Sequence, residues 1–278
     1  MKSILNKLKI NFLTYYFFIL CFMCGYIKNV LIIFMIIVIH EFGHVITIIL
    51  LKYDIESINI YPFGGITKIN KPINSKIIHD ILIAVSGVLF QYIIVNIICI
   101  FNIFEYQTVY IIKSYNIILI VFNLFPIVPL DGSKLFESIL NMFFSYKKSF
   151  HITFIISVLS IILFINYNMI NSLNNYLIIA LLIFYTYRYY IDFKYIFNKF
   201  LLERVLYKFS YKKIKNNTKN IDDLRREYKH YFKGKNKYVS EEEKIKDKFG
   251  KIVWQNLIFL VLSLMFRRAF LLTALKRF

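Results

Sequence analysis

Long apolar runs are the feature that most constrains how this chain folds. Between Ile10 and Tyr190 they follow one another with few charged interruptions. Each run approaches the roughly 20 residues that a helix needs to cross the hydrocarbon layer of a membrane. Backbone polar groups in that layer must be paired within the chain, so such runs fold as helices. The sequence therefore predicts an all-α polytopic membrane protein.

We expect about six membrane-spanning helices. Their predicted ranges are 10–27, 30–51, 81–104, 114–130, 152–167 and 176–190. Basic residues fall mainly in the loops on one side of these spans, whereas the other side has only Lys28, Glu105 and Lys113 as charged loop residues. Because Lys and Arg are enriched in cytoplasmic loops, this asymmetry predicts that both termini are cytoplasmic.

Charge divides the chain into two predicted regions. Residues 1–193 form the membrane domain, and residues 194–278 form a small basic cytoplasmic region that contributes much of the formal net charge of +19. Basic segments beside a membrane gain on the order of 1 kcal/mol per residue from anionic headgroups. We therefore expect anionic lipid, and not nucleic acid, to be the partner of this region.

The segment IIVIHEFGHVITIIL places three polar side chains inside the second predicted span. His40 and His44 are four residues apart, so on a helix both rings lie on one face and can reach one metal ion. Glu41 is positioned to act as the general base of an H-E-x-x-H zinc site. Unpaired His and Glu would be costly at membrane depth, which favours a functional site over a chance pattern.

A third metal ligand is expected because catalytic zinc sites usually have three protein ligands. The segment FNLFPIVPLDG supplies Asp131 at the end of the fourth predicted span, antiparallel to the second. Pro126 and Pro129 disfavour a continued helix, so the chain after Asn123 is predicted to be kinked or extended. Gly132 permits a turn that would direct Asp131 toward the metal.

A short β-hairpin is predicted after the second span. Gly64 and Gly65 separate two β-prone stretches, SINIYPF and ITKI. One interpretation is a simple cytoplasmic connection. The other is a substrate-binding element, in which an edge strand pairs with an extended peptide through main-chain hydrogen bonds.

HEFGH and NLFPIVPLDG, in this order and on separate spans, resemble the motifs of the site-2 protease family of intramembrane zinc metalloproteases. The resemblance implies that His40, His44 and Asp131 hold Zn²⁺ and that Glu41 is the catalytic base for peptide hydrolysis.

Further motif positions follow from the same resemblance. Asn123, Pro126 and Pro129 match a substrate-facing, locally unwound segment of the family. We expect Asn123 to contact the substrate backbone or the developing oxyanion. Gly87 and Val88 stand where the family commonly has a glycine–proline pair that breaks the third span.

The stretches YPFGGITKI, NLFPIVPLDGSKL and FLLERVLYKFS resemble the sporulation branch of the family. This implies a sigma-factor precursor as substrate, inhibitory membrane proteins as partners, and a location in the bacterial membrane that surrounds the forespore, facing the mother cell. It also implies a CBS-like domain in the tail, here degenerate. IDDLRREYKHYF is predicted as its first helix, NKYVSEEEKI as a strand and turn, and the apolar C-terminal end as an interfacial amphipathic helix.

Two other functions remain open from the residues. In a membrane-anchored zincin with its catalytic face outside the bilayer, Glu105 or Glu137 would be the third ligand. In a non-catalytic membrane adaptor or metal carrier, the site would hold metal without turnover. An intact Glu41 argues against the second, because a pure ligand site has no need of an adjacent base.

Overall fold

The computed structural model describes residues 8–10, 12–61, 64–101, 104–166, 173–207, 209, 211, 213–233 and 238–250. The first elements are β1 (Leu8–Ile10), α1 (Phe12–Met23), α2 (Ile27–Leu50), β2 (Asp54–Tyr61), β3 (Gly64–Asn70), α3 (Ile77–Ile100) and α4 (Tyr106–Leu124). They are followed by α5 (Asp131–Phe143), α6 (Tyr146–Asn166), α7 (Leu173–Leu206), β4 (Lys213–Thr218), a 3-10 turn (Ile221–Asp223), β5 (Tyr228–Lys233), β6 (Tyr238–Ser240) and α8 (Glu241–Phe249). The amphipathic helix predicted at the C-terminal end lies outside the described residues.

Four of the described helices, α2, α3, α4 and α6, are long and apolar enough to cross a membrane. Large apolar side chains such as Leu31, Ile93 and Leu163 are exposed on them. A helix bundle that presents such side chains outward is typical of a membrane protein, because lipid covers them. The expected count of six spans stays a prediction, since α1 is shorter and α7 extends well beyond the sixth predicted span.

The fourth predicted span is misplaced at both ends. Helix α4 begins at Tyr106 and ends at Leu124, and Phe125 has the extended backbone that a residue before proline prefers. The predicted end at 130 was wrong because apolar residues continue through a segment whose prolines end the helix. The predicted start at 114 was wrong because the helix begins at Tyr106 and continues through the charged residue Lys113.

Side chains from two later helices pair the backbone of this nonhelical segment. The N–H of Val128 donates to the hydroxyl of Ser157 on α6 at 3.3 Å, and that hydroxyl contacts the carbonyl of Pro126 at 3.2 Å. Thr186 on α7 donates to the carbonyl of Val128 at 3.4 Å. The irregular backbone thus has protein partners, as it must within a membrane.

Strands β1, β2 and β3 form one sheet in that order, with β1 parallel to β2 and β2 antiparallel to β3. Tyr61 and Gly64 form the last pair of the β2–β3 ladder. The sheet packs on α2 through a cluster that includes Val45, Ile48 and Ile58. Strand β3 is an edge strand among the described elements.

The C-terminal unit comprises the sheet β4–β5–β6 and helix α8. The helix predicted for IDDLRREYKHYF was wrong, since this stretch forms the 3-10 turn and then β5. In β5 the buried residues His230 and Phe232 alternate with more exposed neighbours, which is the period of a strand. The strand predicted in NKYVSEEEKI is present as β6. The turn predicted after it was wrong, since Ser240 caps helix α8, which begins at Glu241.

Arg204 ties this unit to the loop before α3. Its buried guanidinium donates to both carboxylate oxygens of Glu241 and, at 3.1 Å, to the side-chain oxygen of Asn74. Arg226 forms an ion pair with Asp80 at 2.6 Å in the first turn of α3. These contacts fix the start of the helix that lies against α2. Because α7 runs without interruption past residue 193, the boundary between the two predicted regions stays a prediction.

Candidate metal centre

Three buried side chains meet where α2 faces the start of α5. The Nε2 atoms of His40 and His44 are 3.0 Å apart, and Oδ2 of Asp131 lies 2.9 Å from the first and 3.0 Å from the second. Their residues are 5%, 8% and 7% exposed, respectively. Helix α2 contributes the two histidines and α5 contributes Asp131. The fold therefore brings together positions that are about 90 residues apart in the chain.

The outer nitrogens of both imidazoles determine which tautomer each ring adopts. The Nδ1–H of His44 donates to the carbonyl of Ile83 at 2.7 Å. The Nδ1–H of His40 donates to the side-chain oxygen of Gln91 at 3.0 Å. Gln91 is itself oriented, because its NH₂ group donates to the carbonyl of Asn116 and therefore faces away from His40. A backbone carbonyl accepts only, so both rings carry their proton on Nδ1 when neutral.

Three electron-pair donors therefore converge on one point. The two Nε2 atoms present lone pairs, and the carboxylate of Asp131 presents a negative charge. Such a set is unfavourable unless a cation lies among the three atoms. Ligand atoms that share an ion at about 2.0–2.2 Å lie roughly 3–3.5 Å apart, which the observed spacing approaches. Among the described residues this is the group that can hold a metal ion, and its N,N,O donor set suits zinc.

Close helix packing allows the two histidines to meet the third helix. A Cβ atom on Gly87 of α3 would lie 2.5 Å from the ring of His44 and 2.8 Å from that of His40. On α2, a Cβ at Gly43 would lie 2.6 Å from the backbone oxygen of Ser86. Helix α3 continues unbroken through Gly87 and Val88. Gly87 therefore serves close approach and not a helix break.

Gly132 has a similar role, which differs from the turn predicted for it. Asp131 is the first residue of α5 and Gly132 the second. A Cβ at Gly132 would lie 2.2 Å from the carbonyl oxygen of Leu124 and 2.4 Å from that of Phe125. The prediction of a turn at Gly132 was wrong. The glycine lets the start of α5 pack on the end of α4, and this contact places Asp131.

The second oxygen of Asp131 has a separate partner. Nζ of Lys134, one helical turn later, donates to Oδ1 of Asp131 at 2.9 Å. The side chain of Lys134 is 63% exposed, so this ion pair contributes little to stability. Its effect is geometric, because it occupies Oδ1 and leaves Oδ2 toward the histidines.

The carboxylate of Glu41 is held by the hairpin. The backbone N–H of Gly65 in β3 donates to Oε1 of Glu41 at 3.1 Å. A Cβ on Gly65 would lie 2.5 Å from Cδ of Glu41. Only glycine at this position lets the strand come so close to the carboxylate. Gly64 precedes it as the first residue of β3.

The remaining predicted site residues precede Asp131 in the chain. Asn123 lies half-buried in the last turn of α4, Pro126 is half-buried and Pro129 is exposed. The substrate contacts expected of these three residues and of the two hairpin glycines stay predictions. Neither alternative third ligand joins the cluster: Glu105 is exposed before α4, and Glu137 accepts a hydrogen bond from Tyr189 at 2.9 Å.

Sequence reasoning missed Gln91, Asn116 and the packing role of Gly87. A signal for the first was present, because Gln91 is an amide within a long apolar run, where polar groups mark functional sites by default. It follows Gly87 by one helical turn, on the face that meets α2. The carbonyl of Ile83 had no sequence signal, since every residue carries one.

Comparison with known proteins gives matches to a peptidase family, a sporulation protein and a zinc metalloprotease. Residues 105–167 match the profile of peptidase family M50. Stage IV sporulation protein FB of Bacillus subtilis is 26% identical over 129 residues, which is 45% of this chain and 44% of that protein. A zinc metalloprotease of Methanocaldococcus jannaschii is 31% identical over 127 residues, which is 43% of this chain and 36% of that protein.

The fold is also found in a solved structure. The site-2 protease from Methanocaldococcus jannaschii matches with a TM-score of 0.50 and 23% identity, covering 66% of this chain and 90% of that one. The aligned part spans less than half of the length of each curated relative. The match to the profile, the two relatives and the shared fold together show that this chain is similar to the site-2 proteases and to peptidase family M50.

Proposed function

We propose that this chain is an intramembrane zinc metalloprotease that hydrolyses a peptide bond of a membrane-associated protein. The observation that carries the proposal is the convergence of His40, His44 and Asp131 beside Glu41. The two histidines and Glu41 lie in α2, a helix apolar enough to span a membrane. The Nδ1–H of each imidazole donates a hydrogen bond to a protein oxygen, which is the outer-shell arrangement of metal-binding histidines.

Each side chain then has a defined role. Bound zinc would supply Lewis-acid activation of a water molecule and of the scissile carbonyl. The carboxylate of Glu41 accepts a proton from the attacking water and returns it to the leaving amine. Its hydrogen bond from Gly65 restrains Oε1, so Oε2 is the oxygen left for proton transfer.

The hairpin and the nonhelical segment are proposed to bind the substrate. Strand β3 is an edge strand whose Gly65 already touches the catalytic carboxylate, so a peptide paired to this edge would run past Glu41. Because they have no side chains, Gly64 and Gly65 would leave room for the backbone of this peptide. Across the site, Asn123 would donate to the substrate backbone or to the developing oxyanion, and Pro126 and Pro129 keep that segment out of the helical conformation.

The natural substrate is proposed to be a sigma-factor precursor cleaved during sporulation. Support comes from the similarity to stage IV sporulation protein FB. By the same similarity, the protein would lie in the membrane around the forespore with both termini in the mother-cell cytoplasm. Inhibitory membrane proteins would regulate it, and anionic lipid would bind its basic region.

The geometry argues against the two alternatives. A glutamate third ligand is unnecessary because Asp131 already lies within hydrogen-bond distance of both Nε2 atoms. A non-catalytic adaptor would have no use for a glycine strand held against Glu41.

Co-expression with a tagged sigma-factor precursor in a non-sporulating host tests the proposal. We expect the wild type to shorten the precursor on an immunoblot and Glu41→Gln to leave it intact. Glu242→Gln, an exposed carboxylate on α8, is the matched control and should cleave normally. Equal cleavage by the wild type and by Glu41→Gln would assign the cut to a host protease. If neither cleaves while both bind zinc, the precursor is not the substrate.

A further inference from the structure

A small basic cavity lies where the start of α6 meets the C-terminal unit. Its volume is about 70 Å³, and it is lined by Phe144, Ser145, Lys148, Lys215, Asp223 and Arg225. None of these residues belongs to the metal centre. The three cations outnumber the one carboxylate, so the lining carries a net charge of about +2.

A buried hydroxyl in this lining has no partner. Ser145 is 5% exposed, and its Oγ makes no hydrogen bond with any described residue. A serine just before a helix usually accepts a hydrogen bond from an N–H of the first turn. Here that bond is not made. A buried polar group without a partner is unfavourable and calls for a ligand or a water molecule.

The first turn of α6 adds backbone donors. The N–H of Tyr146 donates to the carbonyl of Leu224 at 3.0 Å, and that of Ser149 to the carbonyl of Ser145 at 2.9 Å. Lys147 and Lys148 lie between these two residues, and neither of their N–H groups donates to a backbone acceptor within the described ranges. Unpaired N–H groups and the positive end of the helix dipole together favour an anion.

The cationic side chains are also available. Lys148, Lys215 and Arg225 form no ion pair with another described residue. The neighbouring Lys147, in contrast, is paired with Asp222 at 2.6 Å. Three cations and one carboxylate around a cavity with an unpaired hydroxyl create a net positive potential, which an anion would relieve.

We propose that this cavity binds a phosphate group, either from a phospholipid headgroup or from soluble inorganic phosphate. A tetrahedral phosphate matches the guanidinium of Arg225, the two lysine ammonium groups and the hydroxyl of Ser145 as donors. A volume of about 70 Å³ accommodates a phosphate group. Because its ligands come from α6 and from the C-terminal unit, a bound phosphate would link the two.

Both sources are tested with the full-length protein. In uncharged detergent, binding of radiolabelled inorganic phosphate is measured at constant ionic strength. In nanodiscs of phosphatidylcholine with or without phosphatidic acid, retained lipid is measured by mass spectrometry. The variants are Arg225→Gln and Lys148→Gln, the second of which replaces an exposed side chain. Lys244→Gln, exposed on α8, removes the same charge away from the cavity and is the control.

We expect Arg225→Gln and Lys148→Gln each to weaken phosphate binding by about tenfold or more, and Lys244→Gln to bind as the wild type does. Saturable binding of inorganic phosphate identifies the soluble source. Retention of phosphatidic acid alone, lost in the two cavity variants, identifies the headgroup. No binding in either arm, or an equal loss in Lys244→Gln, would overturn the proposal.

Discussion

Nδ1 of His40 on α2 lies 3.0 Å from the side-chain oxygen of Gln91 on the neighbouring helix α3. Gln91 is fully buried and its NH₂ group is held by Asn116, so it can present only its oxygen to the histidine. This chain of contacts fixes the ring of His40 with Nε2 toward Asp131. The geometry of the metal centre therefore depends on an amide that binds no metal itself.

Replacing Gln91 with methionine tests that dependence. The Gln91→Met variant keeps a similar volume but leaves the Nδ1–H of His40 without an acceptor. Loss of an outer-shell partner typically weakens metal binding by about 10–100-fold. We expect a drop of this size in zinc affinity, measured by competition with a chelator. Gln107→Met, exposed on α4, is the control and should bind zinc normally. Wild-type affinity in Gln91→Met would contradict the role given to Gln91.

Gly87→Ala places a methyl group against both imidazoles. The added Cβ would lie 2.5 Å from the ring of His44, so a ring or a helix must move. We expect purified Gly87→Ala to contain well under half of the wild-type zinc per chain. Leu89→Ala, 53% exposed on the same helix, should contain as much zinc as the wild type. Full zinc content in Gly87→Ala would show that α2 and α3 are not packed as described.

Gly65→Ala separates catalysis from metal binding. Its methyl group would lie 2.5 Å from Cδ of Glu41 and displace the carboxylate, which is not a ligand in the proposed site. A displacement of about 1 Å in a catalytic group can cost roughly 100-fold in rate. We expect kcat to fall by that order while zinc content is unchanged, with the exposed Lys68→Ala in the same strand as control. Unchanged kcat would remove the hairpin from the catalytic mechanism.

Low pH is predicted to loosen the C-terminal unit through His230. Burial lowers the pKa of His230 from its ordinary value of 6.5; Glu241 opposes this shift, whereas Arg204 and Lys215 add to it. The neutral ring fits its contacts, since Nε2 accepts the N–H of Arg225 at 3.2 Å and has no room for a proton. The unfolded chain gains a proton near pH 6.5 and the folded chain does not. The free energy of unfolding is therefore not reduced by His230 above this pH, and below it falls by at most about 1.4 kcal/mol per pH unit.

Hydrogen exchange of the β5 amides between pH 7.5 and 5.5, corrected for intrinsic rates, measures this effect. The lowered pKa of Glu241 affects stability only below its ordinary value of 4.5, outside this range. Replacing His230 with glutamine should remove the pH dependence. The same slope in wild type and His230→Gln would assign it to other groups.

The sequence was sufficient to predict those parts of the site that follow from local spacing. His40, Glu41 and His44 are recognisable because a helix places them on one face, and Asp131 because prolines interrupt an apolar run just before it. Contacts between helices were not predictable in the same way. The sequence related Gly87 only to the family's glycine–proline pair, in which Val88 replaces the proline. Its packing role depends on how closely α2 approaches, which the sequence of α3 does not specify.

The structure of the C-terminal unit also depends on tertiary contacts that the sequence does not specify. IDDLRREYKHYF favours a helix by composition, yet His230 and Phe232 are buried on one face of a strand between β4 and β6. Tertiary pairing overrides local propensity in such short segments. Arg204 and Glu241 form a buried pair across 37 positions, and charged residues at that separation gave no sign of being partners.

The zinc content of purified Asp131→Asn, beside the wild type and Glu41→Gln, tests the central claim most directly. We predict about one zinc per chain in the wild type and in Glu41→Gln, and little zinc in Asp131→Asn, because the amide lacks the charge that balances the ion among the three ligands. Full zinc content in Asp131→Asn, with loss on replacing Glu105 or Glu137, would contradict the account and favour a site with a glutamate ligand.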